Sequence, residues 1–131
     1  MTSSDTADSA RCVLVIDDNE DVRILLEHQI RRLGHRVLQA ADGQAGLDLA
    51  ASARPDVILL DLFMPGIDGH AVMRLLTASG SSAAVVVMSG EGAMGDVIEA
   101  LRAGAVDYLR KPFSVTELAS AVERGLARPP R

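Results

Sequence analysis

Five polar residues of the sequence stand out because each follows a short apolar run. They are Asp17, Asp18, Asp61, Ser89 and Lys111. Brought together, three carboxylates, a hydroxyl and an ammonium group could bind Mg²⁺ and a phosphoryl group, because Mg²⁺ prefers oxygen ligands and phosphoryl oxygens accept charge-assisted hydrogen bonds. One of the carboxylates could also act as a nucleophile and form an aspartyl phosphate. This chemistry requires a fold that brings the five residues to one place.

The apolar runs alternate with longer segments that have helical periodicity. The runs predict strands at 12–16, 35–40, 56–61, 83–89 and 106–110. The longer segments predict helices at 19–34, 43–53, 69–80, 93–104 and 114–127. Such alternation predicts an α/β fold with right-handed crossovers and one parallel sheet that helices cover on both faces.

Helix ends and helix faces can be predicted in more detail. We expect the buried face of the first helix to contain Val22, Leu25, Leu26, Ile30 and Leu33. Gly34, Gly80 and Gly104 are placed to end their helices. Ser114 and Glu117 have the spacing of a capping box at the start of the last helix.

The five polar residues all fall at predicted strand ends. Ligands of open parallel sheets bind beyond the carboxyl ends of the strands, where the strand order reverses. A strand order of 2-1-3-4-5 would place strands 1 and 3 side by side there and bring the three carboxylates together. Asp61 is the best candidate nucleophile because it is alone on its strand and a turn follows it; Asp17 and Asp18 are adjacent and suit a metal better. Taken singly, such a residue is usually a cap or a loop residue, and it is the occurrence of the whole set at strand ends that favours a functional site.

Composition limits the classes of function. The chain has 131 residues, of which 48% are hydrophobic and 24% charged, as expected of one globular domain. A net charge of −5 argues against direct nucleic-acid binding. No segment predicts a membrane span or a signal peptide, and the single Cys12 suits a reducing compartment, so we expect a cytoplasmic protein. We predict a flexible tail at 1–10, one domain at 11–127, and a tail or the start of a linker at 128–131.

Four motifs in combination resemble a known family. They are the Asp17-Asp18 pair and the segments "LLDLFMPGIDG", "VVVMSG" and "AGAVDYLRKPF". Together they resemble the receiver domain of bacterial two-component response regulators, over about residues 12–127. The resemblance implies a flavodoxin-like (βα)₅ fold, similar to that of chemotaxis response regulators. It also implies a phosphorylation-activated signalling switch rather than a turnover enzyme.

The resemblance further implies a role for each residue that matches the family's motifs. Asp61 would accept a phosphoryl group from a sensor histidine kinase or a phosphotransfer protein. Asp17, Asp18, Asp61 and the backbone carbonyl of Phe63 would bind Mg²⁺, or Mn²⁺ in its place. Ser89 and Lys111 would contact phosphoryl oxygens, and the Lys111–Pro112 peptide bond would be cis.

The resemblance also implies a switch and its partners. Ser89 would move towards the phosphoryl group and the ring of Tyr108 would rotate inward, which would change the surface of helix 4, strand 5 and helix 5. That surface would act on a downstream effector domain or protein, and a phosphorylation-dependent dimer is compatible with it. Phe63 and Glu91 lie where the family tunes the access of water to the aspartyl phosphate, and we hypothesise that the bulky Phe63 slows hydrolysis.

Two other interpretations of the acidic cluster stay open. A stand-alone Mg²⁺-dependent phosphohydrolase with Asp61 as nucleophile would usually carry a second acid at the position of Phe63. A degenerate receiver would bind its partners without phosphate, although the acids, Ser89 and Lys111 are all present.

Other motif matches are weaker. The glycine-rich segment at 90–95 follows the wrong strand for a dinucleotide site. The histidines at 28, 35 and 70 share no metal-binding spacing, and we expect His28 and His35 at the surface.

Overall fold

The structure is a computed structural model that describes residues 11–64, 66, 68–90 and 93–127. Five strands alternate with five helices, as the sequence predicts. The strands are β1 (Cys12–Ile16), β2 (Arg36–Ala40), β3 (Val57–Asp61), β4 (Ala84–Ser89) and β5 (Asp107–Arg110). The helices are α1 (Glu20–Arg32), α2 (Gly43–Ala53), α3 (Gly69–Ala78), α4 (Met94–Arg102) and α5 (Val115–Ala127).

The strands form one parallel sheet in the order β2-β1-β3-β4-β5, which confirms the predicted flavodoxin-like topology. β3 lies at its centre, with Leu59 paired to Val15 of β1 and to Val86 of β4. β1, β3 and β4 are buried along their whole length, whereas the edge strand β2 begins with an exposed arginine. The predicted contrast between apolar inner strands and a mixed edge strand is therefore confirmed.

Alternate side chains of the inner strands pack into two apolar cores, one on each face of the sheet. Ile58 and Leu60 of β3 pack into the core beneath α2, α3 and α4. Val57 and Leu59 pack into the core beneath α1 and α5. Because both faces are covered by helices, the strands that carry the polar residues at their carboxyl ends are held rigidly.

Local signals in the sequence fix the helix ends. The capping box of α5 forms, with Ser114 Oγ accepting from Glu117 N at 3.0 Å and Glu117 Oε1 accepting from Ser114 N at 2.9 Å. Gly34, Gly80 and Gly104 follow α1, α3 and α4 and have positive φ angles, as expected of residues that end helices. The Lys111–Pro112 peptide bond is cis, as the family resemblance predicted.

Two sequence-based expectations about α1 and its surroundings are wrong. Leu25 is 54% exposed, whereas its neighbour Leu26 is 1% exposed, because α1 turns only Leu26 and Ile30 fully towards the sheet. His35 is not a surface residue: its side chain is only 10% exposed. Within the described part of the chain neither of its ring nitrogens has a hydrogen-bond partner.

Candidate functional site

Parallel pairing brings the polar residues that end four strands to the same edge of the sheet. Asp17 follows β1, Asp61 ends β3, Ser89 ends β4 and Lys111 follows β5. Asp17, Asp18 and Asp61 each offer an oxygen atom within 4.8 Å of the others. The predicted meeting of three carboxylates at the switch point of the strand order is therefore found in the structure.

Lys111 connects the acids across the sheet. Its Nζ lies 2.8 Å from Asp17 Oδ2 and 3.4 Å from Asp61 Oδ2. Its backbone N–H donates to the carbonyl of Ser89 at 2.6 Å, which ties the loop after β5 to the end of β4. The ammonium group therefore reaches both acids from a fixed backbone.

Backbone N–H groups hold the other carboxylate oxygens. Asp61 Oδ1 accepts a hydrogen bond from Phe63 N at 3.1 Å, and Asp17 Oδ1 accepts one from Asn19 N at 2.9 Å. Each bond spans two residues, so the chain that follows each strand curls back over its own carboxylate. The two carboxylates are thereby oriented by the backbone and not by flexible side chains alone.

Burial and crowding of charge dominate the electrostatics. Asp17 is fully buried and Asp61 is only 6% exposed. Burial raises the pKa of Asp61 above its ordinary value, with the neighbouring Asp17 charge acting in the same direction; the Phe63 N–H and Lys111 oppose this without cancelling it. Burial alone would lower the pKa of Lys111, but its contacts with Asp17 and Asp61 outweigh burial and raise it. The site thus holds a firmly charged lysine and more negative charge than that lysine neutralises.

The donor set fits a hard divalent cation. All three side chains that could bind it are carboxylates, and Asp18 is exposed while Asp17 and Asp61 are buried, so the cluster is open on one side. Mg²⁺ typically takes one or two carboxylates and keeps several waters, which such an open cluster allows. A bound cation would also relieve the repulsion between the acids.

The remaining predicted residues have different surroundings. Ser89 is 2% exposed at the end of β4, beside Asp61 in the neighbouring strand. Tyr108 is 37% exposed on β5, and Phe63, two residues after Asp61, is 51% exposed. Glu91 lies outside the described residues.

Sequence reasoning missed three contributors at this edge. Arg23 of α1 donates through Nη1 to the carbonyl of Asp17 at 2.8 Å and so supports the loop after β1. Gly69 opens α3 where an added Cβ would lie 2.5 Å from Leu62 Cα and 2.7 Å from the carbonyl oxygen of Asp61. His70 Nε2 lies 3.0 Å from Asp96 Oδ1, a contact between two helices that no local spacing could reveal.

The fold and the site together define an α/β protein of flavodoxin-like topology with a lysine-bridged acidic cluster at the carboxyl edge of its sheet. The model of the response regulator receiver domain family matches residues 13–123. The chain therefore belongs to this family, the receiver domains of two-component signalling, whose members are switches regulated by phosphorylation.

Individual relatives agree with this membership. The chain is 42% identical to the transcriptional regulatory protein PrrA of Mycobacterium leprae over 124 residues, which are 95% of this chain and 53% of PrrA. It is 32% identical to sporulation initiation phosphotransferase F of Bacillus subtilis, over 87% of this chain and 92% of that protein. The crystal structure of the receiver domain of NtrX from Brucella abortus superposes with a TM-score of 0.86 at 30% identity, over 89% of this chain and 99% of that one. The chain thus spans about half the length of PrrA but nearly all of the sporulation phosphotransferase.

Proposed function

We propose that Asp61 is the phosphoryl acceptor of this receiver domain. The observation that carries the proposal is its placement: a nearly buried carboxylate ends the central strand, 3.4 Å from Lys111 Nζ and beside two further acids. The donor is the phosphohistidine of a sensor kinase or of a phosphotransfer protein. A carboxylate oxygen of Asp61 attacks phosphorus, the P–N bond breaks, and its electron pair stays on the imidazole nitrogen.

The chain's own groups position the phosphoryl group. Lys111 pairs with one phosphoryl oxygen, and its present contact with Asp17 keeps Nζ within reach of Asp61. The hydroxyl of Ser89 donates to another oxygen. The Phe63 N–H, which now bonds Asp61 Oδ1, keeps the carboxylate in a fixed orientation.

Asp17, Asp18, Asp61 and the backbone carbonyl of Phe63 are the proposed ligands of Mg²⁺, for which Mn²⁺ can substitute. When bound, the cation supplies positive charge that stabilises the phosphoryl oxygens in the transition state. Asp18 is the most accessible of the three acids and Asp17 the most enclosed.

The output of the switch follows from the movement of Ser89 and Tyr108. Tyr108 is partly exposed in this structure, so an inward rotation of its ring would remove apolar and hydroxyl groups from the surface of α4, β5 and α5. A phosphoryl group favours that state only through contacts that are better in it, and Ser89 provides such a contact. The partners of this surface are a downstream effector domain or protein, or a second copy of the chain. PrrA is named a transcriptional regulator, and this chain spans about half of it, so its own output is not inferred from PrrA.

The proposal includes a cytoplasmic location and slow self-dephosphorylation, without turnover of a free substrate. Over the described residues, none of the helices has both the length and the apolar character that crossing a membrane requires. Phe63 stands where a phosphohydrolase of this type would carry its second acid, and Glu91 is the second residue proposed to tune the lifetime of the phosphoryl group. The intact set of Asp17, Asp61, Ser89 and Lys111 likewise disfavours a phosphate-independent receiver.

Intact-mass spectrometry after incubation with a small phosphodonor and Mg²⁺ tests the proposal. We expect a gain of one phosphoryl group in the parent chain and in the control Asp48→Asn, which changes an exposed aspartate on α2. The gain should be lost in Asp61→Asn and when Mg²⁺ is chelated. A chain that gains no phosphoryl group from any donor or kinase, or an Asp61→Asn variant that still gains one, would contradict the proposal.

A further inference from the structure

A second cluster of metal-binding side chains shares no residue with the acidic cluster. His70 is in the first turn of α3, and Asp96 and Glu99 are on α4. One ligand atom of each of the three residues lies within 4.8 Å of the others. We propose that His70, Asp96 and Glu99 form a second divalent-cation site, of the nitrogen–oxygen type that takes Zn²⁺ or a similar transition metal.

Two of the three ligand atoms are already close to the spacing that they would have around a cation, and the third lies within 4.8 Å of both. Asp96 and Glu99 are three residues apart on one helix, so their side chains share a face. His70 Nε2 already lies 3.0 Å from Asp96 Oδ1. Two tetrahedral ligands at about 2.0–2.2 Å from Zn²⁺ are roughly 3.3 Å apart, so these two atoms need to separate by only a few tenths of an ångström.

The chemistry of the donors separates this site from the acidic one. An imidazole nitrogen suits Zn²⁺, Co²⁺ or Ni²⁺ better than Mg²⁺, which prefers oxygen ligands alone. Two carboxylates balance the charge of a divalent cation. The His70 side chain is 16% exposed and that of Asp96 is 40% exposed, while Glu99 is exposed, so the site is open enough for a cation to enter and for water to complete its coordination.

Binding at this site would join the helices α3 and α4. The far ends of α3 and α4 already lie close together: Thr77 Oγ1, which donates to the carbonyl of Met73 at 3.0 Å, lies 3.5 Å from the carbonyl oxygen of Ala103. A cation held by His70, Asp96 and Glu99 would connect their near ends. Zn²⁺ should therefore slow amide hydrogen exchange in α4.

Calorimetric titration of the whole chain with Zn²⁺, in the presence of saturating Mg²⁺, tests the proposal. We expect one Zn²⁺ per chain, and a dissociation constant raised by at least about tenfold in His70→Ala and in Glu99→Gln, since loss of even an outer-shell partner has such an effect. The matched control His28→Ala changes an exposed histidine on α1 and should bind as the parent does. Asp61→Asn should bind Zn²⁺ as tightly as the parent does. That result would exclude the acidic cluster as the place where Zn²⁺ binds.

Glu99 is exposed, so Glu99→Gln keeps the test valid if His70→Ala fails to fold. We also expect the NMR resonance of His70 Nε2 to shift when Zn²⁺ is added and not to shift when Mg²⁺ is added. The proposal is overturned if the chain binds no Zn²⁺, or if Glu99→Gln and His70→Ala bind it as tightly as the parent.

Discussion

At the scale of single residues, the role that we propose for Asp61 and the stability of the fold place opposite demands on its carboxylate. Its carboxylate is 6% exposed, and both burial and Asp17 raise its pKa, so the charged form is disfavoured in the folded chain. Lys111 offsets this only in part because its shorter contact, at 2.8 Å, is with Asp17. The charge at Asp61 therefore reduces the free energy of unfolding until a cation binds.

Asp61→Asn should consequently stabilise the metal-free protein at neutral pH. We expect a gain of about 1 kcal/mol, or about 3–6 °C in Tm for a domain of this size. Thermal melts in a chelating buffer measure it, with Asp48→Asn as a control that should melt as the parent does. Mg²⁺ should reduce the difference in Tm between Asp61→Asn and the parent, because Mg²⁺ stabilises only the parent. A variant that melts below the parent in the chelating buffer would show that the carboxylate is a net stabilising group.

Phe63 is the residue at which we expect the lifetime of the phosphoryl group to be set. Its backbone N–H donates to Asp61 Oδ1, and the residue is half exposed. Phe63→Asn replaces an apolar ring with a group that can orient water. One hydrogen bond contributes about 0.5–1.5 kcal/mol, so we expect dephosphorylation to be about two- to tenfold faster.

The loss of phosphoryl-Asp61 over time, followed by intact mass, measures this rate. Leu75→Asn is the control, because Leu75 is also a half-exposed apolar residue but lies on α3. An unchanged rate in Phe63→Asn would refute the role assigned to Phe63.

At the scale of elements, α1 shows a limit to predicting the buried residues of a helix from its periodicity. The pattern of apolar residues predicted that Leu25 and Leu26 would both face the core, but only Leu26 does. A helix turns about 100° per residue, so adjacent residues can share a buried face only where the contact is wide. α1 meets the sheet mainly through Leu26 and Ile30, and this narrow contact could not be predicted from the sequence.

The same substitution at these adjacent positions should therefore have different effects. Leu26→Ala is expected to cost about 2–5 kcal/mol because it leaves a cavity in the core. Leu25→Ala should stay within about 0.5 kcal/mol of the parent because its side chain is 54% exposed. Urea denaturation measures both, and comparable losses in the two variants would mean that α1 packs in another rotation.

Gly69 and Gly95 provide a second matched pair, both in the first turns of helices. A Cβ at Gly69 would meet backbone atoms of Asp61 and Leu62 at 2.5–3.0 Å, whereas nothing lies within 4 Å of a Cβ at Gly95. Backbone cannot move aside as a side chain can, so Gly69→Ala should cost about 1–3 kcal/mol and displace the loop after Asp61. Gly95→Ala should be neutral or stabilising by up to about 1 kcal/mol.

Chemical denaturation and the rate of Asp61 phosphorylation by a small donor measure the two effects of Gly69→Ala. If Gly69→Ala were as stable and as readily phosphorylated as Gly95→Ala, the close approach of α3 to the end of β3 would be unimportant for stability and for phosphorylation.

At the scale of the whole molecule, the sequence predicts what depends on alternation and strand ends. The predicted order 2-1-3-4-5 places the polar ends of β1 and β3 side by side, and the structure has this order and brings Asp17, Asp18 and Asp61 together. The sequence could not predict contacts between distant elements that carry no local pattern. His70 with Asp96, Arg23 with the carbonyl of Asp17, and the burial of His35 all depend on how helices seat against the sheet.

The predicted domain boundaries imply that residues 11–127 fold as one unit. Among the described residues, ten elements and two apolar cores lie between Cys12 and Ala127, and the family match covers 13–123. A chain reduced to 11–127 should therefore unfold in one cooperative transition, with Tm within about 2 °C of the parent, since changes away from the core and caps rarely exceed about 0.5 kcal/mol. Its phosphorylation at Asp61 should also be unchanged, because none of the proposed site residues is removed.

Calorimetry and intact-mass measurements on the shortened chain check both expectations. A second shortened chain, ending before α5 at 114, is the informative comparison. α5 contributes Leu118, Ala121 and Val122 to the core on its face of the sheet, all of them fully buried, so their loss should abolish cooperative unfolding. If removing residues outside 11–127 lowered Tm or phosphorylation substantially, the domain would extend beyond the predicted boundaries.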